Sequence, residues 1–91
     1  AEKIAQAVAM YFNITEEEMK SEKRKSEILI PRQVAMYIMR EKLSISLNDT
    51  GKYFNRDHAT VYSAVEKIGN KLKVDENFAN DVKEITKRIC E

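Results

Sequence analysis

Apolar positions recur at helical intervals along the whole chain, and two such patterns stand back to back between Ser46 and Leu72. In the first, Leu47, Thr50, Gly51 and Phe54 fall at i, i+3, i+4 and i+7 and share one helix face, while Asn48, Asp49 and Lys52 face away. Ser46 followed three residues on by Asp49 resembles a capping box and marks the start. In the second, Val61, Ala64, Val65, Ile68 and Leu72 form a stripe, and Asp57 is placed to cap the helix by accepting its orphan first-turn amides. Almost nothing separates the two patterns, which is the sequence form of a helix-turn-helix spanning 46–72. Because the second stripe begins only at Val61, the spacing predicts that Asp57, His58, Ala59 and Thr60 project from an exposed helix tip.

The flanking segments read as helices too. Ile4, Val8 and Tyr11 or Phe12 give a short amphipathic helix. Thr15-Glu16-Glu17-Glu18 is a capping box, with Ile14 and Met19 in the two positions of a hydrophobic staple, so a second short helix begins near Glu16. Its three glutamates lie in the first turn, where the helix dipole favours them, a structural reading that outweighs metal binding. Lys20 to Glu27 has no apolar periodicity and four basic residues, and it reads as a basic loop over 20–27. Ile28-Leu29-Ile30 is compatible with a strand, but no second strand exists to pair with it. Pro31 suits a first helical turn, so a helix is expected from Ile30 or Pro31 to about Leu43, with Val34, Ala35, Ile38 and Met39 inward and Arg32, Gln33, Met36 and Arg40 wholly or partly outside that face. After Asp75, a plausible cap, Phe78, Val82, Ile85 and Ile89 form the cleanest stripe, a scaffold helix over 75–90. Gly69 obscures where the preceding helix ends. The sum is an all-α fold: one small domain, 1–91, of about five to six helices.

Composition narrows the function. Ninety-one residues leave no room for a second core or an ATP-binding module. One histidine, one cysteine and no clustered carboxylates beyond the first-turn glutamates provide neither a nucleophile–base pair nor a metal-ligand spacing, so no enzyme and no metal site are expected. No apolar run approaches a membrane span and no signal-peptide pattern opens the chain, which together with the single Cys90 points to a cytoplasmic protein. Net charge is only +1, yet residues 20–56 carry nine positive and four negative charges, against one and four over 1–19 and six and seven over 57–91. Such a local excess, just before the tip of the second helix, is what a phosphate-facing patch requires.

Arg56-Asp57-His58-Ala59-Thr60-Val61, preceded by Ser46-Leu47 and Gly51 and followed by Ala64 and Lys67-Ile68, resembles the C-terminal DNA-binding domain of DnaA, the bacterial replication initiator. Lys23-Arg24-Lys25 and Arg32-Gln33-Val34-Ala35-Met36-Tyr37 match two further motifs of that family in order and spacing, so the resemblance covers roughly Ile4 to Ile89. It implies sequence-specific binding of double-stranded DNA at DnaA boxes of an origin, on the nucleoid and by a domain monomeric in isolation. ATP would belong to the ATPase domain of a full-length initiator, and this chain needs no cofactor.

The residues themselves fit that chemistry. In the major groove Asp57 suits a cytosine amino group, in addition to its capping role, His58 suits a purine acceptor, and Ala59 and the Thr60 methyl suit a thymine methyl. The basic loop is either a solvated connector or an arm lying on phosphates or in the minor groove. By resemblance Arg24 is the minor-groove arginine, Arg32 and Gln33 contact DNA bases from the start of their helix, and Arg40 lies near a phosphate. Ser46, Leu47 and Asn48 open a helix whose free amides suit a phosphate. Lys23, Lys25, Lys52 and Arg56 complete the expected phosphate contacts.

The chain departs from the family at the turn. Only Asn55 stands between Phe54 and Arg56, where the family has two glycines, so the turn is one residue shorter and Asn55 is expected in the left-handed conformation. Asn48, Thr50 and Lys42-Leu43 also depart from its usual residues. The competing readings are a divergent, phage-borne or free-standing DNA-binding regulator, and a helix-turn-helix that docks protein instead of DNA. The latter would expose an apolar tip, whereas this one is polar and flanked by basic residues.

Overall fold

In the computed structural model, which describes residues 2–90, six α-helices enclose one core and no strand occurs among the described residues. The end residues of the expected 1–91 domain lie outside that range. Helix α1 spans Glu2–Phe12, α2 Glu16–Lys20, α3 Ser26–Tyr37, α4 Leu47–Phe54, α5 His58–Val74 and α6 Glu76–Cys90. Each of four helices starts on a side-chain cap written in the sequence. Thr15 and Glu18 form the full capping box. Ser46 accepts from the Asp49 amide (3.0 Å), Asp57 from that of Thr60 (2.8 Å) and Asp75 from that of Phe78 (3.0 Å). At Ser46 only this one bond of the expected box is made.

Helix α3 lies at the centre, packed on α1 and α5, with α4 against α5 and α6 clasping α1 and α5. Met19, Val34, Ala35, Ile38, Met39, Phe54, Val61, Ile68 and Ile85 are buried between them. Where α6 packs on α1 the Tyr11 hydroxyl donates to Asp81 Oδ1 at 2.7 Å, tying the first helix to the last.

Three local expectations are corrected. Helix α3 begins at Ser26, not at Ile30 or Pro31, with Ile28 buried in the core and Pro31 buried inside the helix. The missing proline amide would have bonded the carbonyl of Glu27, an exposed residue, so water can satisfy that group. Met36, expected wholly or partly outside the inward face, is 1% exposed, since α5 covers a second side of this central helix. The basic loop shortens to 21–25 as α2 and α3 take its ends.

Beyond Tyr37 the helix widens into a π-helical turn over Ile38–Lys42, closed by Leu43 donating to the Ile38 carbonyl (3.3 Å) and Ile45 to that of Met39 (3.0 Å). Ser44 sits there with φ 55°. Helix α5 runs through Gly69 to Val74.

Candidate nucleic-acid interface

The turn between α4 and α5 sets the geometry of the site. Asn55 adopts the left-handed conformation expected of it (φ 56°, ψ 48°), and the Arg56 amide donates back to the Gly51 carbonyl at 2.8 Å. These bonds satisfy the last carbonyls of α4 and reverse the chain within three residues. Asp57 then caps α5. The Thr60 amide, with smaller help from the Thr60 hydroxyl and neighbouring His58, holds its carboxyl below the ordinary value. His58, Ala59 and Thr60 are exposed, as expected of the tip.

Two concavities border this first turn. The larger, about 790 Å³, lies between the basic loop, α3 and α5, and it brings together Arg24, Arg32, Gln33, Asp57, Ala59 and Thr60 from the expected base-contacting set. Four cationic residues (Arg24, Arg32, Arg56, Lys67) line it against two acidic ones (Glu22, Asp57), so the excess is positive. The second lies on the other side of the tip, where His58 joins Arg40, Ser44, Ser46, Leu47 and Asn48. His58 is thus separated from its sequence neighbours and grouped with the start of α4, where the Asp49 amide is taken by Ser46 and those of Leu47 and Asn48 are left to meet an anion. Lys23, Lys25 and Lys52 are exposed but line neither concavity.

Two arginines differ from expectation. Arg32 is not an exposed residue: it is 3% accessible, with Nε donating to the Met19 carbonyl at 2.7 Å and Nη2 to the Glu18 carbonyl at 3.3 Å. It satisfies carbonyls at the end of α2, and only its outer edge borders the concavity. Burial, and secondarily the charge of Arg56, lowers its pKa from the usual guanidinium value. Arg56, expected to face a phosphate, is half-buried and donates through Nη1 to the Phe54 carbonyl and through Nη2 to the Ser21 carbonyl, both at 2.7 Å. Neither arginine has a carboxylate partner among the described residues. Their positive charge is therefore left uncancelled beside the groove while their geometry serves the fold. Gln33 is half-buried there, with Oε1 lacking a hydrogen-bond partner.

Sequence reasoning missed Ser63 and Lys67, which line the same concavity. The signal was present: Thr60, Ser63 and Lys67 stand at i, i+3 and i+7, a polar stripe beside the apolar one. Among the described residues no group of His, Cys, Asp and Glu could hold a metal ion, and no helix is long and apolar enough to cross a membrane.

A helix-turn-helix domain whose second helix opens beside a cationic concavity is the class these elements define. Residues 1–68 match the family described as bacterial dnaA protein helix-turn-helix. Over 86 residues the chain is 45% identical to the chromosomal replication initiator protein DnaA of Caldanaerobacter subterraneus subsp. tengcongensis. It is 44% identical to the proteins of the same name from Thermoanaerobacter sp. (strain X514) and Thermoanaerobacter pseudethanolicus. The chain belongs to the bacterial DnaA helix-turn-helix family. Each alignment covers 94% of this chain but 19% of the relative, so the chain spans about a fifth of the length of the curated relatives it matches.

Proposed function

We propose that this domain is a sequence-specific reader of double-stranded DNA that recognises DnaA-box-like sites, and that it acts by binding rather than by catalysis. The first turn of α5 enters the major groove, where Asp57, His58, Ala59 and Thr60 meet base edges, with Gln33 and the edge of Arg32 beside them. Arg24 reaches the neighbouring minor groove, whose negative potential attracts a guanidinium. Lys23, Lys25, Arg40, Lys52, Lys67 and the start of α4 at Ser46, Leu47 and Asn48 engage phosphates, which fix register while the bases carry sequence.

The observation that carries this reading is that Arg24 and the polar tip of α5, more than thirty residues apart in the chain, line one concavity with an excess of positive charge. Its relatives carry the name chromosomal replication initiator protein, and binding of this kind would serve the start of replication.

Fluorescence anisotropy with a DnaA-box duplex and a shuffled duplex of equal length, over a salt series, tests it. Specific reading gives at least about a thousandfold preference for the box at physiological salt, with both affinities falling as salt rises. Equal affinities would reduce the domain to a non-specific binder, and no binding would return it to the docking-module reading.

A further inference from the structure

The segment carrying Arg24 leaves α2 at Ser21, and Ser21 is held from several directions at once. Its carbonyl accepts from Arg56 Nη2 at 2.7 Å, across 35 residues of sequence. Its hydroxyl donates to the Glu18 carbonyl at 2.7 Å, and the same oxygen accepts from the Lys23 amide at 3.3 Å, with Arg32 Nη2 at 3.5 Å beside it. The other terminal nitrogen of Arg56 holds the Phe54 carbonyl, the last of α4. One planar guanidinium therefore spans the end of α4 and the root of the basic loop, directly before the cap of α5.

We propose that Arg56 is a positioning residue that sets the distance between the minor-groove arm and the major-groove helix. The inference rests on the DNA-binding reading above. Three residues of extended chain reach at most about 10 Å, so pinning Ser21 confines Arg24 to a short arc fixed relative to the tip of α5. Arg24 is held on its other side by the start of α3 at Ser26, so release of Ser21 shifts it by about one base step, the roughly 3.4 Å between successive nucleotides on one strand. Fixing the root makes minor-groove and major-groove contacts fall on one register. Lysine keeps the charge of Arg56 but has no planar fork to span two carbonyls, so it separates positioning from electrostatics.

The test is a double-mutant cycle on the box duplex, using the whole domain with Arg24→Ala, Arg56→Lys and both, each over a salt series. If Arg56 acts through the arm, Arg56→Lys weakens binding about tenfold in the intact domain and less than about twofold once Arg24 is alanine, with an unchanged salt slope. Multiplicative losses in the two backgrounds overturn the proposal, as does a slope reduced by about one unit on Arg56→Gln but not on Arg24→Ala, which would mark a direct phosphate contact. Arg24→Ala without effect takes the arm off the DNA and removes the proposal together with that part of the functional reading, leaving major-groove recognition to stand alone. Hydrogen exchange of the free domain guards against a folding defect. Arg56→Lys is expected to accelerate exchange at the Lys23 amide selectively, and equal acceleration at Val34 and Val61 would make Arg56 a general fold residue and overturn its positioning role.

Discussion

A Cβ built on Gly51 would lie 2.4 Å from the carbonyl oxygen of Arg56. The turn folds back so tightly that α4 must present bare backbone where the chain reverses. Gly51→Ala gains up to about 1 kcal/mol of helix propensity. Relieving a contact with backbone, which cannot rotate away as a side chain can, costs about 1–3 kcal/mol. The cost is the larger, so chemical denaturation should show a net loss of stability and box binding should weaken as the tip of α5 tilts.

Gly69 is expected to behave oppositely. It lies within α5, and a Cβ there would meet only the Tyr37 ring at 3.8 Å, an ordinary contact. Gly69→Ala should raise stability by about 0.5–1 kcal/mol, through helix propensity and a less flexible unfolded chain, and leave DNA affinity unchanged. A lower melting temperature would show that the Tyr37 ring cannot accommodate the methyl.

The cap of α5 gives stability a pH dependence. The Thr60 amide holds the Asp57 carboxyl below its ordinary value of 3.8, so the folded state binds a proton here less readily than the unfolded chain. The contribution of this group is complete above the unfolded value and is lost as pH falls through the lower folded one. Asp57→Asn keeps an amide-accepting oxygen without the titration. It should melt near the wild type at pH 7 and show a shallower loss between pH 4 and 2. Identical acid profiles would place the transition on other carboxylates.

Arg32 is expected to be a stability residue first. Arg32→Ala leaves the Met19 carbonyl unpaired at a buried site, while the Glu18 carbonyl keeps the Ser21 amide and hydroxyl as donors, and the loss costs about 1–3 kcal/mol by denaturation. Arg32→Lys should recover little of it, because the fork that serves two carbonyls is gone. Full stability in both variants would return Arg32 to the solvent-facing role.

On DNA, His58→Ala should cost about 1–3 kcal/mol on the box and little on a shuffled duplex. Equal losses on both would assign His58 to the phosphate side, with Arg40, Ser46, Leu47 and Asn48 in its own concavity. Lys23→Ala or Lys25→Ala should weaken binding to every duplex and lower the salt slope by about one unit for each phosphate no longer neutralised. An unchanged slope would leave those lysines in solvent.

The sequence by itself determined the caps at Thr15, Ser46, Asp57 and Asp75, the left-handed Asn55, the inward stripes and the polar tip, because each depends on groups within a few residues of one another. An amide reaching a side chain three positions back, or a period near 3.6, is visible in one dimension. What only the tertiary structure decided depends on partners far along the chain. Arg32 is buried because the Met19 carbonyl, thirteen residues earlier near the end of α2, needs a donor, and Arg56 is occupied because the root of the basic loop comes within 2.7 Å of it. Met36 is covered because α3 is central, a consequence of how all the helices pack and not of its own face. The separation of His58 from Asp57, Ala59 and Thr60 has the same origin, since each concavity is closed by a different neighbour: α3 and the basic loop on one side, the start of α4 on the other. Local hydrogen bonding chose the elements, and the burial of distant polar groups chose which cations face solvent.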